Sequence, residues 1–171
     1  MNLYLGCAVW SYKGWVGNLY PSKSKSADFL HLYSQRFNTV EGNTTFYAVP
    51  SPERVNRWLK ETGSGFRFCP KFPQTVTHQG LLQPRIPSAL DFIDRLKGLD
   101  DRLGVIFAQL PPSYSPVYLE DLTEFLQACQ TKGIKLAVEV RHLDWYKEPY
   151  ASQLNQLLTS LGIGRVLLDT R

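Results

Sequence analysis

The sequence predicts an α/β protein built as a parallel (β/α) barrel of the TIM-barrel type, six βα units of an eight-unit fold, truncated after the sixth strand. Three observations carry this. Strand and helix patterns alternate strictly along the chain, which demands parallel strands joined by right-handed crossovers. The strands begin near residues 3, 38, 66, 103, 135 and 164, an average unit of about 32 residues, and eight such units make about 250 residues. Polar residues follow every strand, whereas an open doubly wound sheet concentrates them at its switch point.

Residues 3–9 are a compact apolar run and the first expected strand, followed by an aromatic loop over 10–21. A helix is expected over 26–36, with Phe29, Leu30, Tyr33 and Phe37 on one stripe and Ser26 as its cap. The second strand, 39–41, leads into Gly42-Asn43-Thr44-Thr45-Phe46-Tyr47. Ser51 and Pro52 open a second helix through Val55, Trp58 and Leu59. The third strand covers 66–72, although Pro70 within it marks a place where pairing ends. A third helix starts at Ser88, and the fourth strand, 103–110, stops at Pro111-Pro112. The fourth helix spans 117–132 and ends at Gly133. The fifth strand, from Lys135, runs into Glu139-Val140-Arg141-His142. A fifth helix over 150–161 ends at Gly162, and 164–169 is the sixth strand.

With 171 residues and 43% hydrophobic content, one domain spanning 1–171 is expected. No apolar run is long enough for a membrane span and no leader precedes residue 3, so a cytoplasmic location without membrane association is expected. Cys7, Cys69 and Cys129 are far apart and form no C-x-x-C pair, so neither a disulfide framework nor a zinc site is indicated. The net charge of +4 is a weak pointer to a polyanionic partner.

Several motifs together resemble one family. They are Gly6-Cys7-Ala8-Val9-Trp10 with Trp15 to Pro21, Val40 to Tyr47, Phe68 to Lys71 with Thr77-His78, Gln109 to Ser113, and Val138 to His142 with Trp145. In this order they are similar to the YecE-like proteins, also called domain of unknown function 72. The resemblance implies a TIM-barrel fold and no established reaction. Gly42 departs from the larger apolar residue usual in that strand, and the chain is shorter than the complete barrels the resemblance implies.

In a barrel the strand ends share one face, so residues far apart in sequence meet there. Glu41 and Glu139 are the first candidates, because a carboxylate in a buried strand end is costly unless paired, hydrogen-bonded or metal-bound. They suit a general acid and base, or ligands for a divalent cation, or a satisfied ionic network with Lys71 and Arg141. No strong metal-ligand spacing is present. Arg141 shares strand parity with Glu139 and suits a phosphate or carboxylate, or pairing with either Glu. His142 is a candidate acid/base group and His78 a support or substrate contact. Asn43 and Gln109 suit ligand orientation. Asp169 suits ligand contact at the last strand end. Trp10 and Trp145 are the rings best placed to touch a ligand, the other aromatics serving to pack loops. Ser11, Thr44 and Thr45 have no base at triad spacing, which argues against nucleophilic serine chemistry.

These residues fit an enzyme, a hydrolase or lyase with paired carboxylates, acting on a phosphorylated or polyanionic substrate, nucleic acid included. A glycoside hydrolase is one version, excluded if the carboxyl groups lie much beyond about 9.5 Å apart. The rivals are a non-catalytic binding protein for a small anionic ligand or RNA, and an inactive remnant of a barrel enzyme.

Overall fold

The structure is a computed structural model and describes residues 3–169. Its strands are β1 (Thr39–Gly42), β2 (Arg67–Pro70), β3 (Ile106–Gln109), β4 (Leu136–Glu139) and β5 (Gly164–Arg165). Its α-helices are α1 (Phe29–Ser34), α2 (Asn43–Tyr47), α3 (Pro52–Glu61), α4 (Gln74–Thr77), α5 (Ile86–Leu96), α6 (Leu119–Gln130) and α7 (Tyr150–Ser160). All strand pairing is parallel and helices separate successive strands, as the alternation predicts. Among the described residues no helix is long and apolar enough to cross a membrane.

The barrel is not there. The strands form two small parallel sheets, β1-β2 and β3-β4-β5, and among the described residues no pairing closes them into a ring. Three local causes account for the difference. The expected first strand, 3–9, is not a strand: Glu41 N–H bonds Cys7 O at 3.1 Å, but the Tyr33 hydroxyl takes the neighbouring ladder position, accepting Cys7 N–H at 2.5 Å and donating to Thr39 O at 3.0 Å. Burial pushes that hydroxyl up to about pH 12, so it stays protonated and keeps donating. Gly6 lies so close to β1 that a Cβ there would meet Thr39 O at 2.0 Å. The second cause is Pro70. Phe68 O accepts from Gly104 N–H at 2.7 Å and Phe72 N–H donates to Phe107 O at 3.0 Å, so Pro70, of the same parity, occupies the position from which an N–H should reach β3. Among the described residues only isolated bridges, Phe68 to Leu103 and Lys71 to Phe107, pair the two sheets. Third, the expected sixth strand shrinks to β5, two residues long, with Leu167 and Leu168 beyond it exposed.

The helices follow local rules more closely. Ser51 Oγ accepts Arg54 N–H at 3.3 Å and Pro52 opens α3. Gly133 and Gly162 take φ of +68° and +64° just beyond α6 and α7, the left-handed positions at which a side chain is strained. The helix expected from Ser26 is a 3-10 turn (Ser26–Asp28) running into α1, and Asp28 rather than Ser26 caps it, accepting Lys25 N–H at 3.1 Å. The helix expected from Ser88 begins two residues earlier, as α5 at Ile86.

Helices and sheets bury one apolar core in which Phe72 packs against Phe92 of α5 and Phe125 of α6, with ring centroids 5.5 and 5.6 Å apart. That core holds the strands' outward faces. Residues of their inward faces line a cavity.

Candidate functional site

Alternation along a strand sends every second side chain to one face, and here that face is polar near the carboxyl ends. Glu41 from β1, Lys71 just after β2, Phe107 and Gln109 from β3, and Glu139 and Arg141 at the end of β4 all line a cavity of about 660 Å³. Carboxyl ends of parallel strands are the usual location of ligand sites in α/β folds.

The contacts form two groups. In the first, Lys71 Nζ lies 3.1 Å from Glu41 Oε1. The Lys71 side chain is only 8% exposed and that of Glu41 40%, so the pair is a buried cation facing a hydrated anion. The ammonium also sits over two rings, 5.1 Å from the centroid of Phe107 and 5.7 Å from that of Phe46, whose π faces offset part of its desolvation. Thr45 fixes the backbone at this point. Its hydroxyl lies 2.7 Å from both Gly42 O and Lys71 O and accepts Lys71 N–H at 3.0 Å.

In the second group, buried Glu139 is the acceptor. Gln109 Nε2 approaches its two oxygens at 2.8 and 2.9 Å, and Arg141 Nε donates to Oε1 at 2.7 Å. Gln109 and Glu139 are register partners, so the contact spans adjacent strands. Arg141 uses only Nε here. Its Nη1 and Nη2 have no hydrogen-bond partner among the described residues.

His78 stands at the edge of this cluster. Its ring meets Phe46 edge-on at 5.0 Å, and Nδ1 lies 2.9 Å from Thr77 Oγ1. Burial, helped by the positive charges of Arg141 and Lys71 and opposed by Glu139, holds its imidazole below the usual histidine range, hence neutral at pH 7.

The sequence-predicted residues thus divide. Glu41, Asn43, Lys71, Gln109, Glu139 and Arg141 share the cavity, Asn43 with its Nδ2 donating to Ala8 O at 3.2 Å. His142 lines an adjoining cavity that shares Arg141 with the first, and its Nδ1 accepts Asp144 N–H at 3.2 Å. Trp145 is fully buried and donates from Nε1 to Tyr114 O at 2.8 Å. Trp10 packs edge-on against Trp58 at 5.5 Å. Asp169 is exposed and does not line the cavity.

Phe107 and Thr45 were missed as site residues. The parity of Phe107 with Gln109 would have found it, whereas nothing in the sequence separates Thr45 from Thr44. Among the described residues no three His, Cys, Asp or Glu side chains group closely enough to hold a metal ion, and both carboxylates face cations instead.

The chain is 38% identical over 170 residues to the UPF0759 protein YecE of Escherichia coli K12, covering 99% of this chain and 60% of that protein. It is 26% identical over 168 residues to the UPF0759 protein YunF of Bacillus subtilis 168, covering 94% of this chain and 58% of that one. The chain therefore spans about 60% of the length of these relatives. Among solved structures, the DUF72 family protein TM1631 of Thermotoga maritima MSB8 matches with a TM-score of 0.70 at 28% identity, over 97% of this chain and 64% of that one. The DUF72 family protein EF0366 of Enterococcus faecalis V583 matches in fold with a TM-score of 0.74 at 22% identity, over 97% of this chain and 60% of that one. The family described as Protein of unknown function DUF72 matches residues 4–171, nearly the whole chain and every strand that builds the cavity, and the protein belongs to that family.

Proposed function

We propose that this chain serves an enzyme acting on a small phosphorylated or polyanionic molecule, gripped by Arg141 and Lys71 and transformed with Glu41 as the acid/base group. One observation carries the reading. Glu139 engages Arg141 through Nε alone, which leaves the planar Nη edge of the guanidinium at the wall of a cavity of about 660 Å³. That edge suits a phosphate or carboxylate bidentately, and the volume falls in the small-molecule range. A nucleic-acid substrate fits this reading only through a phosphate that can enter the cavity.

Glu139 and Glu41 then differ in role. Glu139 has both oxygens occupied and serves to aim Arg141. Glu41 is the more exposed carboxylate, able to exchange a proton with a water or a bound molecule. The non-catalytic binding reading has its own support, since each carboxylate already faces a cation without substrate.

The test is calorimetric titration with inorganic phosphate, followed by a ³¹P screen of phosphate esters for product. Arg141→Ala should weaken phosphate binding about tenfold or more. Glu41→Gln should keep binding and lose about 10²-fold or more of any turnover. Phosphate binding without turnover of any ester would make the protein a binder, and no phosphate binding at all would remove the reading.

A further inference from the structure

Phe46 of α2 links Lys71, which lines the main cavity, to His78. Its ring centroid lies 5.7 Å from Lys71 Nζ, and it meets the His78 ring nearly at right angles at 5.0 Å. Beyond His78 lies a second cavity of about 360 Å³, lined by Leu81, Pro111, Ser113, Tyr114 and Tyr118 as well as His78 itself. Lys71 lines the main cavity and His78 the second, and the Phe46 ring touches both, so the two cavities are near neighbours.

The second cavity has a built back wall. Tyr114 donates its hydroxyl to Asp121 Oδ2 at 2.6 Å, and Asp121 also accepts Leu82 N–H at 2.8 Å and Gln83 N–H at 2.9 Å. The Tyr114 carbonyl is taken by Trp145 Nε1. These groups are spent on holding the loop before Gln83 against α6, leaving little polarity for a ligand. What faces the space is apolar or flat: exposed Leu81, Pro111, and the rings of His78 and exposed Tyr118. Ser113 Oγ and Tyr118 Oη have no partner among the described residues.

We infer that this second cavity is the subsite for an uncharged aromatic or heterocyclic ring carried by the substrate whose anionic group lies at Arg141 and Lys71. The substrate class is therefore an aryl or heterocyclic phosphate or carboxylate. A polyol phosphate is disfavoured, because two hydroxyls cannot satisfy the several that a sugar would bury. A planar ring gains by covering Leu81 and stacking on Tyr118. The anionic half of this assignment rests on the proposed function; the ring half rests on the second cavity alone.

The experiment uses the full chain with three kinds of probe: inorganic phosphate, ω-phenylalkyl phosphates with spacers of zero to three methylenes, and neutral benzyl alcohol. At least one phenylalkyl phosphate should bind about tenfold or more tighter than inorganic phosphate. Benzyl alcohol should show saturation transfer from the protein. Both the affinity gain and the saturation transfer should be lost in Leu81→Asp and reduced in Tyr118→Ala, two exposed positions whose replacement leaves the core intact. The inference is overturned if no spacer length improves on inorganic phosphate and benzyl alcohol shows no transfer, or if both signals survive Leu81→Asp. Absence of phosphate binding with Leu81-dependent benzyl alcohol binding would remove the anion reading and keep the ring subsite.

Discussion

Gln109 Nε2 lies 2.8 and 2.9 Å from the two carboxylate oxygens of Glu139, its register partner on the adjacent strand. The amide is thus the donor that lets a carboxylate occupy a buried strand end, with Arg141 completing the set at 2.7 Å. Replacing it by Leu leaves Glu139 buried with one donor fewer and should cost about 1–3 kcal/mol in urea unfolding. Gln109→Glu should cost more at pH 7, since two carboxylates would face each other. Protonating one carboxyl relieves the repulsion, so that variant should recover stability as pH falls toward about 4.3, the unfolded value, with the recovery complete below it. Equal loss for both variants at pH 7 would count against this account.

The Lys71–Glu41 pair is asymmetric, and its two halves should respond differently to removal. Lys71→Met leaves Glu41, 40% exposed in its side chain, free to be hydrated, and keeps the apolar stem between Phe46 and Phe107. Glu41→Gln leaves an ammonium whose side chain is 8% exposed, with two ring faces as its main compensation. The second change should destabilise the fold by about 1–3 kcal/mol more than the first, read from denaturant midpoints at constant m. The reverse order would mean that the rings, not Glu41, stabilise the charge.

Much of this cluster was legible because strand parity is a local property. Glu139 and Arg141 are two residues apart and both face the cavity, and Glu41 and Lys71 end neighbouring strands. Helix ends were legible for the same reason, as Ser51, Gly133 and Gly162 act on the residues beside them. Closure of a barrel was not, because it depends on contacts between distant residues. Tyr33 interposes its hydroxyl between Cys7 and Thr39 from 26 residues away, and no pattern within residues 3–9 announces it. Pro70 was read as a place where pairing ends, yet only the parity of Phe68 and Phe72 shows that its missing N–H falls on the β3 side. The link that Phe46 makes between Lys71 and His78 likewise needed the folded chain, since the three lie on separate elements.

His78 links stability to pH. Its folded pKa is held below the ordinary 6.5 by burial first, then by Arg141 and Lys71. The unfolded chain therefore takes up a proton at higher pH than the folded one. The contribution is fully present above about 6.5 and is lost as pH falls from there toward the folded value. Wild-type stability should drop between pH 7 and pH 5, and His78→Gln should flatten that drop. The imidazole ¹H resonances should show the His78 midpoint below that of a free histidine.

The thiols should report the same burial. Burial pushes the Cys129 thiol up to about pH 12, so at pH 8 only about one in ten thousand is thiolate. Cys7 and Cys69 are half-buried and line the main cavity. A disulfide reagent at pH 8 should titrate Cys7 and Cys69 in the folded protein and reach Cys129 only in denaturant. Labelling of Cys129 in the native state, located by peptide mass mapping, would place its helix α6 outside the stable core.

Asp121 is where the wall of the second cavity should be weakest to substitution. It accepts Leu82 N–H, Gln83 N–H and the Tyr114 hydroxyl, so one carboxylate ties the loop before Gln83 to α6. Burial and the Asp121 carboxylate both raise the Tyr114 pKa well above its ordinary range, which keeps its O–H donating at any pH the fold survives. Tyr114→Phe removes one of three donors and leaves the two amides bonded, so it should cost about 1 kcal/mol. Asp121→Leu removes the acceptor of both amides and leaves the hydroxyl only Tyr118 O, 3.2 Å away. It should therefore cost more than Tyr114→Phe, and native-state hydrogen exchange at Leu82 and Gln83 should accelerate in Asp121→Leu but little in Tyr114→Phe. Ring binding in the second cavity should weaken in parallel, because a loop free to move from α6 no longer holds Leu81 against the ligand. Unchanged exchange at both amides would show that the loop is held by Leu82 packing in the core, and that Asp121 is incidental to it.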